Sequence, residues 1–356
     1  MAIIKIQDKI IGEDYPTYFI ADIAANHDGD LSKAKDLIML AAEAGADAVK
    51  FQHFLAKDIV SDYGFKALNS ALSHQASWEE SVYEVYDKAS LPREWTSELQ
   101  EISNQYGVHF FSAPYDFDAI DLLDSLNVPA HKIGSGDVTW TGIIEKMSNR
   151  GIPILIATGA SDMTDVERAM NVLAARNIPI CLMQCNTNYT GDDQNLKHIH
   201  LNVLKTYSRV WPDVVLGLSD HTAGHSTVLG AVALGARAIE KHFTYDKKSK
   251  GPDHAFSMDS DDWREMVDRT RELESALGSE EKFVAENEKE TVILQRRCVR
   301  SKRDLDKGTK IIAEHLEVLR PAPQNAIMPY DIDIAIGKTL KVPLKKGQHL
   351  KITDFE

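Results

Sequence analysis

The stretch AIEKHFT, residues 238–244, begins with apolar residues and then places Glu240, Lys241 and His242 side by side. Its first half is typical of a buried strand, whereas its second half brings charged groups to the end of that strand. A polar loop follows, which includes GPDH at 251–254. The pattern predicts a buried strand with functional side chains at its carboxyl end.

Seven further segments show the same change from apolar to polar residues, with helical patterns between them. In chain order the eight are YFIADIAAN (18–26), AVKFQ (48–52), HFFSAP (109–114), HKIGSGD (131–137), PILIATG (153–159), IPICLMQCN (178–186), VVLGLSDH (214–221) and AIEKHFT (238–244). Alternating strands and helices indicate βα units around a parallel sheet. The number of strands and helices alone is also compatible with a doubly wound sheet. Polar residues at nearly all strand ends favour a closed (β/α)₈ TIM barrel, whose active site lies at that end.

Local signals predict where two helices begin or end. In LSKAKDLIMLAAEAG, 31–45, apolar residues recur on one face and Gly45 is a suitable C-terminal stop. Asp162 is a candidate N-cap for the next such segment, 162–176. The connection from His53 to Leu91 is too long for an ordinary βα loop and is predicted to be a lid or a substrate-specificity insertion.

The length of 356 residues predicts one large domain and one small domain. The eight strand segments place the barrel at residues 1–280. A charged segment poor in large apolar residues makes 281–290 a linker. Residues 291–356 combine short apolar runs with turn residues, which predicts a compact β-rich domain.

Composition excludes several classes of protein. With 40 Lys and Arg against 54 Asp and Glu, the net charge of −14 argues against a nucleic-acid partner. The chain has no secretory signal and no membrane-spanning run, so a cytoplasmic location is expected. The three cysteines fit reduced thiols, and the CxxxC pair Cys181 and Cys185 is predicted to be buried strand residues rather than zinc ligands.

His221 and His242 end the seventh and eighth predicted strands, which are neighbours in a closed barrel. A single histidine at either position would more often be a hydrogen-bonded surface or core residue. Two imidazoles facing one point, together with water and substrate oxygens, suit a divalent cation that polarises a carbonyl group. Their matched placement therefore predicts a metal site.

The segment HKIGSGD predicts an anion site. Lys132 lies at an inward-facing position, and glycines on both sides of Ser135 let backbone N–H groups approach an anion. With Lys50 from the second strand and Thr158 from the ATG turn after the fifth, the site suits a phosphorylated, carboxylated small molecule.

Three aspartates accompany the predicted metal and anion sites. Asp22 and Asp137 are candidates for proton transfer or for binding a sugar hydroxyl, and equally for charge partners of the lysines. Asp253 lies in the loop after the eighth strand.

Six motifs, in this order and at these spacings, closely resemble the sialic acid synthase family, which includes N-acetylneuraminate, legionaminate and pseudaminate synthases. They are ADIAANHDG (21–29), VKFQ (49–52), HKIGSGD (131–137), GLSDHT (217–222), IEKHFT (239–244) and GPDHAFSM (251–258). The tail EVLRPA, 317–322, resembles the family's C-terminal antifreeze-like (SAF) domain.

The resemblance implies condensation of phosphoenolpyruvate (PEP) with an aldose, usually an acetamido mannose-like sugar, to a nine-carbon 2-keto-3-deoxy acid with release of phosphate. It implies a catalytic Mn²⁺ or Mg²⁺ held by His221 and His242. Further implied roles are PEP contacts by Lys50, Lys132, Ser135, Thr158 and Ser219, sugar contacts by Gln52, Asn186, Tyr189, Asp253 and Arg320, and catalysis by Asp22, Asp137, His221 and His242. In the family the small domain reaches into the partner's barrel, which implies a domain-swapped homodimer.

The sequence departs from the family pattern at a few positions. Asp22 and Asp137 stand where the family often has glutamate, and Ala113 and Ala157 replace hydroxyl residues near the expected phosphate. NTNYTG at 186–191 replaces a CTNxYP-like stretch. These departures leave the aldose open.

Two alternatives to this synthase reaction remain at the sequence level. One is a Schiff-base pyruvate aldolase that uses Lys132 or Lys50 as its nucleophile. The other takes the C-terminal region as a carbohydrate- or ice-binding module and the barrel as its scaffold.

Overall fold

The computed structural model describes residues 2–68, 75, 78, 80–189 and 191–356. The chain divides into two compact units, Met1–Gly278 and Ser279–Glu356. Among the described residues, no helix is both long enough and apolar enough to cross a membrane.

A short antiparallel hairpin, β1 (Ile3–Ile6) and β2 (Lys9–Gly12), precedes a closed barrel of eight parallel strands. The barrel strands are β3 (Tyr18–Asp22), β4 (Ala48–His53), β5 (His109–Pro114), β6 (His131–Ile133), β7 (Ile154–Ala157), β8 (Ile180–Cys185), β9 (Val215–Asp220) and β10 (Ala236–His242). Pairing of β10 with β3 closes the barrel. The predicted (β/α)₈ architecture is therefore confirmed.

Alternate residues of the barrel strands pack into two separate apolar layers. Ile239 belongs to the layer between strands and helices, whereas its neighbour Ala238 belongs to the layer inside the barrel. Hairpin residues Ile4 and Ile6 extend the inner layer. Cys181 and Cys185 are buried in the same layer with free thiols. The strand period of two thus fixes which residues face inward.

Helices connect the barrel strands. Those of the first unit with described bounds are α1 (Leu31–Glu43), α2 (Ala56–Ile59), α3 (Asp62–Ala67), α4 (Val82–Ala89), α5 (Thr96–Gln105), α6 (Phe117–Ser125), α7 (Thr141–Ser148), α8 (Met163–Ala174), α9 (Val203–Val210), α10 (Ser226–Ala233) and α11 (Ser260–Leu277). The predicted helix stop at Gly45 and the predicted N-cap at Asp162 are confirmed. Gly45, just after α1, has a φ of +97°, and the side chain of Asp162 caps α8 by accepting from Thr164 N and Asp165 N.

The long connection after β4 contains α2, α3 and α4. Residues 69–74, 76–77 and 79 of the predicted lid lie outside the described residues. Its described part brings Trp78 and Tyr86 within 6.4 Å of each other, measured between ring centroids.

The second unit has its own apolar core, which includes Val299, Leu316 and Leu350. Its elements are helix α12 (Lys289–Gln295) and strands β11 (Cys298–Ser301) and β12 (Leu316–Leu319), which pair antiparallel. Isolated bridges such as Leu305↔Leu344 extend the pairing. The unit is small and rich in β structure and turns, as predicted.

Candidate active site

Polar side chains replace apolar ones at the carboxyl ends of the barrel strands. They continue the inward-facing series: Glu240 and His242 follow Ala238, and Lys50 follows Ala48. The polar residues brought together in this way are Asp22, Lys50, Gln52, Lys132, Ser219, His221, Glu240 and His242. Seven of them are among the predicted site residues.

Two lysines and two carboxylates form a buried cluster at the centre of this end. Lys50 Nζ lies 2.7 Å from Asp22 Oδ2 and 3.2 Å from Glu240 Oε1. Lys132 Nζ lies 3.5 Å from the same Glu240 oxygen. All four side chains are at most 5% exposed. Burying charges costs several kcal/mol per ion, so a cluster of this size is poorly explained by stability alone.

The cluster does not compensate its two ammonium groups equally. Burial disfavours the charge on Lys50, but Asp22 and Glu240 raise its pKa above the usual range. Burial lowers the pKa of Lys132, and the negative charge of Glu240 only partly offsets this effect. Glu240 itself is ionised: burial opposes the charge, but Lys132 and Lys50 lower its pKa to about 2. An incoming anion would therefore gain most from Lys132.

The two predicted histidines lie side by side, with ring centroids 5.3 Å apart. His221 Nδ1 donates to the carbonyl oxygen of Asn186 at 2.8 Å, which leaves the Nε2 lone pair available. His242 Nε2 lies 3.5 Å from Asp22 Oδ2, and its buried Nδ1 has no hydrogen-bond partner among the described residues. Burial lowers the pKa of each imidazole to about 3, so both are neutral.

Neutral imidazole is the form that ligates divalent metals. The donor set fits a cation with two protein ligands and further positions for water or substrate. Within the described part of the chain, no group of three or more His, Cys, Asp and Glu residues is arranged to hold a metal. A cation here would consequently be bound more openly than in a structural zinc site.

A cavity of about 210 Å³ opens above the cluster. Five predicted site residues line it: Gln52, Ser135, Tyr189, His242 and Asp253. Its wall is aromatic: Phe54, Trp78 and Tyr86 come from the long connection after β4, and Tyr115 directly follows β5. An apolar wall beside a few polar groups is typical of a small-molecule site.

Two further aspartates near the cavity have perturbed pKa values. Burial raises the pKa of Asp137 to about 6, although Lys132 opposes the shift. Burial likewise raises the pKa of Asp253 to about 6, opposed by a hydrogen bond from Ala25 N. The ring of Tyr189 packs 4.3 Å from that of His221, measured between centroids, which places it beside the histidine pair.

The side chains of two predicted barrel residues make hydrogen bonds outside this arrangement. The hydroxyl of Thr158 donates to Met183 O at 3.0 Å and contacts Tyr207 Oη at 2.9 Å, so it faces the helix layer. The side chain of Asn186 donates to His198 O at 3.2 Å. Arg320 lies exposed in the second unit.

Ser135 occupies an intermediate position. Its Oγ accepts from Gly159 N at 3.0 Å while its residue lines the cavity. Gly134 also leaves room for Tyr115, because a Cβ at this position would lie 2.9 Å from the Tyr115 hydroxyl.

Glu240 is the main residue that the sequence prediction left out. It bridges both lysines and accepts from Ser219 Oγ at 3.2 Å. The signal was available, because Glu240 and His242 are two positions apart in one strand and must share a face. Lys241, between them, faces outward.

Comparison with known proteins agrees with these features. The model described as "NeuB family" matches residues 37–282, and that described as "SAF domain" matches residues 296–356. A solved N-acetylneuraminic acid (sialic acid) synthetase from Leptospira borgpetersenii, in complex with citrate, is similar with a TM-score of 0.73 and 25% identity, over 82% of this chain and 95% of that one.

Two curated relatives match almost the whole chain. The N,N'-diacetyllegionaminic acid synthase of Legionella pneumophila is 35% identical over 95% of this chain and 94% of its own length. The pseudaminic acid synthase of Helicobacter pylori is 33% identical over 96% of this chain and 98% of its own. The predicted resemblance is confirmed, and the chain belongs to the NeuB family.

Proposed function

We propose that the chain condenses PEP with an N-acetylated, mannose-like aldose to give a nine-carbon 2-keto-3-deoxy (nonulosonic) acid and phosphate. Relatives of similar identity are named legionaminic and pseudaminic acid synthases, so the reaction class is shared while the sugar differs. The observation that carries the proposal is the pair of buried ammonium groups next to two neutral histidines, below a small-molecule cavity.

Lys50 and Lys132 are proposed to bind the phosphate and carboxylate of PEP. Lys132 is the less compensated ammonium, and it donates only to Ile133 O, at 3.1 Å, apart from its contact with Glu240 among the described residues. Ser135 and Ser219 add hydroxyl donors beside it. Thr158 stays outside this proposal, because its hydroxyl is bonded in the helix layer.

The reaction itself joins C3 of PEP to the aldehyde carbon of the open-chain sugar. Water then adds at C2, and phosphate leaves from the tetrahedral intermediate by C–O cleavage. The added water loses two protons in all: one is balanced by the proton that the aldehyde oxygen takes up, and the other leaves with the phosphate. Asp22 and Asp137 are the proposed proton carriers. Asp137 has a pKa of about 6, which suits exchange near neutral pH.

His221 and His242 are proposed to hold a divalent cation, Mn²⁺ or Mg²⁺. Such a cation supplies Lewis-acid polarisation of a carbonyl oxygen. The chain's own contribution is the orientation of the two rings: Asn186 O accepts from His221, and Tyr189 and Phe256 pack against both.

Gln52, Tyr189 and Asp253 are proposed to contact the sugar, since all three line the cavity. Asn186 is a proposed sugar contact through its position next to Tyr189 and His221. Arg320 is proposed to reach the site from a second copy of the chain, as the family resemblance implies for a domain-swapped homodimer.

The proposed division of labour is a catalytic barrel (1–280), a linker (281–290) and a SAF domain (291–356). The cytoplasm is the proposed compartment, because free cysteines are typical of a reducing environment.

To test the proposal, the chain is incubated with PEP, Mn²⁺ and each of a panel of N-acetylated hexosamines. Phosphate release is measured, and the products are identified by mass spectrometry. We expect one sugar to give a product whose mass equals sugar plus PEP plus water minus phosphoric acid. Chelation should abolish the activity. Absence of phosphate release with every sugar would argue against the proposal, and a borohydride-trapped pyruvate adduct on Lys132 or Lys50, with activity that survives chelation, would identify a Schiff-base aldolase instead.

A further inference from the structure

Asp220 and Lys241 form a buried ion pair on the outer face of the barrel wall, each one residue away from a proposed metal ligand. Lys241 Nζ lies 2.5 Å from Asp220 Oδ2, and both side chains are 1% exposed. The two residues are register partners in β9 and β10. The pair therefore connects the two strands that carry His221 and His242.

Asp220 also holds the backbone on the far side of His221. Its Oδ1 accepts from Thr222 N at 3.3 Å, and its Oδ2 accepts from the hydroxyls of Thr222 and Thr227, each at 2.8 Å. Lys241 Nζ donates to Thr222 O at 2.7 Å. These bonds fix the chain on both sides of His221 and anchor it to the start of α10.

We propose that Asp220 and Lys241 are positioning residues that set the separation and orientation of His221 and His242 for a divalent cation. This inference rests on the proposed function for the cation site. A pair of apolar residues would fill the same space at a lower desolvation cost, so stability alone does not account for a buried ion pair here. Metal sites depend on such supporting contacts, because ligands must be held within about 0.5 Å of the productive geometry.

The test uses the full chain with both charges removed, Asp220→Asn with Lys241→Met, so that no unpaired charge is buried. Mn²⁺ affinity is measured from the electron paramagnetic resonance signal of free Mn²⁺, and thermal unfolding is recorded in parallel. We expect the Kd for Mn²⁺ to rise about 10- to 100-fold while unfolding stays cooperative.

Ser112→Ala is the matched control. Ser112 belongs to another buried polar network on the outer face, where its Oγ contacts His53 Nδ1 at 2.6 Å and donates to Phe51 O at 2.7 Å. This variant should lose thermal stability and keep the Mn²⁺ affinity of the unchanged chain. Equal weakening in both variants, or a double variant within twofold of the unchanged chain, would overturn the inference. So would an unchanged chain that binds no Mn²⁺.

Thr227→Val covers the case in which the double variant fails to fold. It removes one donor to Asp220 and keeps the ion pair, so a rise in Kd of about threefold is expected, and an unchanged Kd would overturn the inference. Failure of the proposed function is distinguishable: Mn²⁺ would bind tightly to the unchanged chain and weakly to the variants, yet no sugar would give phosphate release.

Discussion

The inner and outer faces of strands β9 and β10 each carry a buried charge cluster, but the two clusters differ in how completely they are satisfied. On the outer face Asp220 accepts from Lys241, from two threonine hydroxyls and from a backbone N–H. On the inner face Glu240 Oε2 and His242 Nδ1 have no partner within the described part of the chain. A buried polar atom without a partner is costly, which supports the proposal that the inner cluster binds a ligand and that the outer cluster positions it.

The largest effect is expected from removal of Lys132, the less compensated of the two lysines on the inner face. Lys132→Met should lower kcat/KM for PEP by about 10³-fold, because one preorganised donor to a charged group contributes on that scale. Stability should change less than in Lys241→Met, because Lys50 remains as a partner of the buried Glu240 carboxylate. Phosphate release measures kcat/KM, titration calorimetry measures the affinity for PEP, and urea unfolding measures stability.

Lys205→Met, at an exposed position on α9, is the control for loss of a lysine. Its kinetics should match the unchanged chain. A Lys132 variant with normal PEP affinity would remove the assignment of the inner cluster as the anion site.

The outer cluster should respond in stability. Lys241→Met alone leaves the buried Asp220 carboxylate without its cation, so the free energy of unfolding should fall by about 3 kcal/mol. Urea unfolding measures this loss. The double variant with Asp220→Asn should recover part of it, because the uncompensated charge is gone.

Lys66→Met provides the contrast at the surface, where Lys66 Nζ lies 2.6 Å from Asp62. An exposed pair contributes little, so no measurable change is expected. If Lys241→Met were as mild as Lys66→Met, the outer pair would not be a supporting element.

Asp137 has a half-buried carboxyl group, and its effect on stability depends on pH. Burial raises its pKa from 3.8 to about 6, and its Oδ2 lacks a partner among the described residues. Between about pH 4 and pH 6 the folded chain therefore binds more protons than the unfolded chain, so Asp137 makes the fold less stable as pH rises through that window. Asp137→Asn should match the unchanged chain near pH 4 and exceed it by about 2 kcal/mol at pH 8.

Urea unfolding across that pH range measures the difference, and the exposed Asp306→Asn serves as control. A stability difference that does not vary with pH would contradict the perturbed pKa.

The sequence predicted what depends on local or periodic signals. The eight strands follow from short apolar runs, and the cap at Asp162 follows from hydrogen bonds within a few residues. The histidine and lysine pairs follow from strand ends that meet in a closed barrel. The contact between Asp220 and Lys241 could not be predicted, because it depends on the register between two strands. The aromatic wall that includes Trp78 could not be predicted either, because the long connection after β4 has no regular period.

The alternation of inward- and outward-facing residues along β7 accounts for the position of Thr158. Ile154 and Ile156 of β7 belong to the layer between strands and helices, whereas Leu155 and Ala157 belong to the interior. The next residue in that alternation faces outward, where the hydroxyl of Thr158 contacts Met183 O and Tyr207 Oη. Parity along the strand thus separates Thr158 from the inward-facing Ser219.

Thr158→Val should accordingly cost about 1 kcal/mol of stability, from the lost hydrogen bonds, and leave kcat/KM within about twofold. Ser219→Ala removes a hydroxyl of similar size that donates to Glu240 at 3.2 Å, so it should lower kcat/KM for PEP more than Thr158→Val does. Steady-state kinetics on both variants measure the contrast. If Thr158→Val were as damaging as Ser219→Ala, its hydroxyl would have to turn inward when substrate binds, and the division between a binding face and a supporting face would not hold at β7.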